Sequence, residues 1–166
     1  MKNSAIKKLT GIVVFFMATA GLFAQANFAG NWALNESKSN FGGGPMRMAA
    51  TSLAVTQAPN LLTVESTMPG RDGGEMKTTA KYTLDGKVSE NPMFNTTRKS
   101  TATWSADKTA LTIVSTMTFD MGGETREMKT TETWKLSEGG KVLLIESVRP
   151  GRDGGEMKTT AAYDKK

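Results

Sequence analysis

PGRDGGEMKTTA, residues 69–80, recurs unchanged as residues 150–161. A chain of 166 residues that repeats twelve positions without a change contains a repeated structural unit. Ahead of the two copies stand LTVESTM from Leu62 and LLIESVR from Leu143, runs in which apolar and polar side chains alternate. The tract itself opens on Pro, Gly and Asp, which set turn geometry, and continues into a second alternating run. Each unit therefore reads strand, glycine-rich turn, strand, which is a β-hairpin. A looser third copy lies between them: LTIVSTM from Leu111, a turn over 120–125, and EMKTTETW at 127–134.

Working outward, KTTAKY (77–82), KSTATW (99–104), KTTETW (129–134) and KTTAAY (158–163) are four versions of one return strand, each ending on an aromatic. The spacing predicts strands near 30–33, 51–56, 61–67, 75–84, 96–104, 110–118, 126–136, 141–148 and 156–163. The links between them are brief and rich in turn residues, such as Asp85-Gly86, so parallel crossovers have no room. The expected fold is all-β: an antiparallel up-and-down meander of about eight or nine strands closed into a barrel, because closure removes exposed edges. A two-sheet sandwich is the alternative. The stretch 35–47 is glycine-rich and reads as a loop.

A period of two then sorts the faces. Leu62, Val64, Ser66 and Met68 share one side of their strand, as do Leu111, Ile113, Ser115 and Met117. On the return strands the same side carries Met76, Thr78, Ala80 and Tyr82, or Met128, Thr130, Glu132 and Trp134. The lysines fall on the other side, so these methionine and aromatic faces point inward. An interior that mixes Met128 with Ser115 and Thr130 fits a cavity lining, since methionine adapts its shape and hydroxyls bind water or ligand. The competing reading is a filled barrel whose hydroxyls bond to neighbouring backbone. Glu132 stands where the sister strands have Ala80, Ala102 and Ala161. An inward carboxylate there needs a partner, which Arg98 or Arg149 would supply; a register slip would instead send it to solvent.

The N-terminal stretch belongs to targeting rather than to the fold. Lys2, Lys7 and Lys8 precede the apolar run GIVVFFMATA at 11–20, and Ala24-Gln25-Ala26 offers small residues for cleavage. Residues 1–26 are expected to be a signal peptide and 27–166 a single domain, secreted or periplasmic after cleavage, without a membrane anchor. Removing the three leader lysines leaves 18 basic against 16 acidic residues and no basic cluster, so nucleic acid is not an expected partner. The chain has no cysteine and no histidine. That excludes disulfides, His-assisted nucleophilic triads and the usual zinc sites, and no cofactor or metal is expected. Asp72 with Glu75 and Asp153 with Glu156 match no complete calcium loop and read as turn chemistry.

The opening of the expected domain, Asn27-Phe28-Ala29-Gly30-Asn31-Trp32, resembles that of lipocalin-like proteins, in which a Gly-x-Trp on the first strand closes one barrel end. It is also similar to a bacterial family of exported lipocalin-like domains of unassigned function, which share a DGK-type turn, here Asp85-Gly86-Lys87, and a closing strand ending in an aromatic, here Tyr163. The resemblance spans most of 27–164 and implies a calycin-type barrel. Fatty-acid-binding members close with Arg-x-Tyr, whose arginine helps hold the ligand carboxylate. This chain has Ala161-Ala162-Tyr163, so only Tyr163 carries over. The resemblance implies a non-enzymatic binding protein for a small apolar or amphipathic ligand; the inward faces read above put Glu132, Arg98, Ser115, Thr130 and Met128 against it, and the resemblance adds Tyr163. A secreted or envelope module acting through its surface, with a filled barrel, is the alternative, and a carboxylate-based hydrolase is the third reading.

Overall fold

The computed structural model describes residues 24–42, 49–70, 72–93, 95–121, 123–151 and 154–166. Among these, ten strands follow one another: β1 (Gly30–Leu34), β2 (Ser52–Ala58), β3 (Leu61–Pro69), β4 (Glu75–Thr83), β5 (Val88–Met93), β6 (Thr96–Trp104), β7 (Ala110–Met121), β8 (Glu124–Ser137), β9 (Val142–Pro150) and β10 (Glu156–Lys165). They form one sheet in the order β4-β3-β2-β1-β10-β9-β8-β7-β6-β5, each neighbour antiparallel, so the meander is real and the sandwich alternative falls. Most of the expected signal peptide, residues 1–23, lies outside the described residues, as do positions 43–47 of the expected loop and Asp153 of the second repeat.

The strand count corrects the expected eight or nine. The strand that the sequence reading omits is β5, VSENPM, whose Pro92 and short alternation argue against a sheet position. It is tolerated because β5 is an outer strand: it pairs with β6 and carries no backbone ladder to β4. Side chains bridge that seam instead. Asn91 accepts from the Lys81 N–H at 2.7 Å and donates back to the Lys81 carbonyl at 2.9 Å, while Thr83 N–H donates to Ser89 Oγ at 2.8 Å. The buried Asn91 amide thus imitates a peptide group. The barrel is nearly closed by it.

Successive turns alternate between two ends. One end is a packed floor, where residues ahead of β1 cross the barrel. The Ala26 N–H donates to the Lys108 carbonyl, and Gln57 both donates to the Ala26 carbonyl and accepts from the Phe28 N–H, each at 2.9 Å. Phe28 is thereby held inside, stacked on Trp104 at 5.7 Å and edge-on to Trp134 at 5.8 Å. Trp32 is fully buried and donates its indole N–H to the Phe28 carbonyl at 2.9 Å. Gly30 of the Gly-x-Trp has φ of 145°, and an added Cβ would come within 3.0 Å of Lys165 Cε, so a side chain has no place there.

The other end carries the duplicated turns, and identical sequence gives matching geometry. Gly70 N–H donates to the Gly74 carbonyl at 2.7 Å and Gly151 N–H to the Gly155 carbonyl at 2.8 Å; Gly73 and Gly154 take φ of 82° and 81°. Asp72 accepts from the Gly74 N–H, an Asx-type turn, which is what Asp-Gly-Gly supplies.

Candidate functional site

The register sets every inward residue of the sequence reading on the concave face. Leu62, Val64, Ala80 and Tyr82 are buried, and so are Leu111, Ile113, Trp134, Ala161 and Tyr163. These apolar positions run from the floor to mid-barrel, and Val64, Ala80, Tyr82, Ala161 and Tyr163 form the inner end of a cavity. Toward the mouth the same face turns to Met68, Met93, Met117 and Met128 and to hydroxyl residues, and the cavity has a volume of about 240 Å³. The change follows from the repeat: the inward sets of β3, β7 and β9 run from leucine at the floor through serine to methionine or arginine at the mouth, and those of β4, β8 and β10 from an aromatic through threonine to methionine.

All six positions singled out from sequence line this cavity: Arg98, Ser115, Met128, Thr130, Glu132 and Tyr163. They come from four strands, β6, β7, β8 and β10. The arrangement within the cavity differs from the expectation. No ion pair joins Glu132 to Arg98 or Arg149 among the described residues. Glu132 accepts from the indole N–H of Trp134, two residues along β8, at 3.1 Å. Arg98 Nη2 donates to the Tyr82 hydroxyl at 2.9 Å, with the guanidinium 5.8 Å from the ring centre. Arg149 Nη2 lies 3.1 Å from Met157 Sδ. Register explains the missing pair. Glu132 stands opposite Ile113, which stands opposite Ala102, so Arg98 is four residues further toward the mouth. At ~3.3 Å per residue that is about 13 Å along the strand direction.

One nitrogen in this region lacks what burial demands: Arg98 Nε is buried and has no hydrogen-bond partner. A buried donor left unpaired costs about 1–3 kcal/mol, more on a charged group. Ser115 is differently placed. Its hydroxyl lies 2.9 Å from that of Ser100, and both residues are buried, so this polar group is satisfied within the wall.

The tyrosines register the electrostatics. Burial pushes the Tyr82 hydroxyl up to about 12, with the Arg98 charge opposing and the Glu132 charge adding to the rise. Tyr163 is raised further, first by burial and then by Glu132, against the Ala50 backbone amide. Both phenols are therefore neutral donors at neutral pH.

Tyr82, Ser100 and Asn91 escaped the sequence list. Tyr82 was legible as the counterpart of Tyr163 in the repeated return strand, and Ser100 from the alternation of KSTATW. Asn91 lies in the strand that Pro92 disguised, and no periodic signal marks it.

No protein-family model matches this chain, and no curated protein matches it in sequence. Among solved structures it is similar to the zebrafish ileal bile acid-binding protein complexed with cholic acid, with a TM-score of 0.57 and 18% identity, covering 84% of this chain and 98% of that one. The likeness shows the fold, an antiparallel up-and-down β-barrel.

Proposed function

We propose that this protein is an exported, non-enzymatic barrel that holds a small apolar or amphipathic ligand in its interior. The observation that carries the reading is the cavity itself: about 240 Å³, walled by adaptable methionines, with a buried arginine nitrogen that has no acceptor among the described residues. A fold likeness to a bile acid-binding protein supports a barrel of this kind as a container. Export rests on the leader, with Lys2, Lys7 and Lys8 ahead of an apolar run and Ala24-Gln25-Ala26 behind it, and the absence of cysteine suits a bacterial periplasm or extracellular space.

Native mass spectrometry on protein purified from its own source tests the reading. The expected spectrum carries an added mass that leaves on activation; a barrel that is bare at every stage of purification and takes up no amphiphile on titration contradicts it. The Ser100–Ser115 hydroxyl pair favours the second reading, a surface-acting module whose interior satisfies itself. N-terminal sequencing of the exported form tests the leader, with a start between Gln25 and Asn27 expected.

A further inference from the structure

Three charged side chains line one cavity, Arg98, Arg149 and Glu132, and the carboxylate pairs with neither arginine among the described residues. Arg98 gives one N–H to Tyr82 and keeps a buried Nε without an acceptor. Glu132, deeper toward the floor, takes one N–H from Trp134, whereas a carboxylate has about four lone-pair sites to fill. A charge held partly out of water is costly unless it finds a partner of opposite sign or a hydrogen-bond mate. In most interiors the two would settle that cost by pairing with each other. Here their backbone positions stand about 13 Å apart along the strand direction, Arg98 turns its guanidinium to the Tyr82 hydroxyl, and no ion pair joins the two among the described residues.

Each ligand class leaves a different remainder. A neutral apolar molecule leaves both groups unanswered. A simple carboxylate answers Arg98 and leaves Glu132 facing a chain of hydrocarbon. A simple amine does the reverse. One class answers both: a short chain with an acceptor anion at one end and a protonated donor at the other. We infer, on the reading of the cavity as a ligand site, that the occupant is such an amphoteric molecule, its anionic end at Arg98 and its ammonium end at Glu132. Ser115 and Thr130 stand at the level between the two backbone positions, and Met117 and Met128, level with Arg98, offer an adaptable apolar wall to the hydrocarbon. Arg149 directs its Nη2 at the Met157 sulfur.

Isothermal titration calorimetry on the delipidated protein with four probes of equal chain length tests the inference: ω-aminooctanoate, octanoate, octylamine and 1-octanol. The amphoteric probe is expected to bind at least about tenfold tighter than either singly charged probe, the factor that one charge-assisted hydrogen bond supplies. Glu132→Gln keeps an acceptor for the Trp134 indole and removes the charge. It should weaken ω-aminooctanoate and octylamine by about tenfold and leave octanoate unchanged. Arg98→Met should show the converse pattern, with Arg98→Gln as the second variant if the first does not fold. Equal affinity for ω-aminooctanoate and octanoate, or for ω-aminooctanoate and octanol, overturns the two-pole inference while leaving the cavity reading intact. Binding of none of the four, octanol included, brings down the cavity reading itself.

Discussion

Tyr82 and Tyr163 are the only tyrosines in the chain, and both are buried in the barrel wall, which gives the interior a direct optical reporter. Both hydroxyls are raised above the ordinary value of 10, Tyr82 to about 12, chiefly by burial. The folded state therefore holds these protons more tightly than the unfolded chain does. That contribution to stability is complete below pH 10 and is lost as pH rises through about 12. Titrating tyrosinate absorbance should show no ionisation near pH 10 and a cooperative rise that coincides with unfolding. Two phenols ionising near 10 in folded protein would put them on the surface. Glu132 makes a second case. Glu132→Ala removes the acceptor of the Trp134 indole, whose ring is buried, and should cost about 1–3 kcal/mol in denaturant unfolding. Glu132→Gln, which keeps that bond, should cost less than Glu132→Ala; equal losses would show that the Trp134 contact carries no weight. The sequence placed Glu132 inward correctly and chose the wrong partner. Alternation reports which side a residue takes, but height along the barrel decides which charges meet, and height depends on cross-strand register.

Among the elements, the return strands were the most legible. Their period of two, their shared aromatic and their repeated turn all point to one arrangement, and such agreement across levels is what makes a segment readable. β5 shows the limit. VSENPM offers a proline, one exposed valine and a buried asparagine, and its place in the sheet depends on bonds from side chains to the β4 backbone that no periodicity encodes. Val88 is 59% exposed, so only Met93 at the far end of the strand faces the cavity. The seam yields a prediction. Asn91→Ala leaves both the N–H and the carbonyl of Lys81 without their partner and should destabilise the protein by about 1–3 kcal/mol. Amide exchange at Lys81 should accelerate strongly while β9 amides hold their protection. Unchanged exchange at Lys81 would mean that the side-chain bridge does not close the seam.

For the molecule as a whole, the floor and the mouth divide the work. The floor is a tight aromatic cluster in which Phe28 and Trp32 are fully buried, and Trp32→Ala should cost about 3–5 kcal/mol by equilibrium unfolding. A loss below about 1 kcal/mol would contradict its role as a plug. The Gly-x-Trp opening made Trp32 foreseeable, whereas the clamp of Gln57 on Ala26 and Phe28 joins residues about thirty apart and is invisible to any local pattern. The mouth keeps a void where the floor has none, because serine, threonine and methionine replace leucine and isoleucine along the same inward rows. Those methionines also offer the most direct measurement of what the void does. With methyl-labelled methionine, saturation with 1-octanol is expected to shift the methyl resonances of Met68, Met93, Met117 and Met128, which line the cavity, and to move those of Met76 and Met157 least. Shifts confined to methionines outside the cavity, or none at all at saturating octanol, would show that the barrel does not take a ligand into its interior.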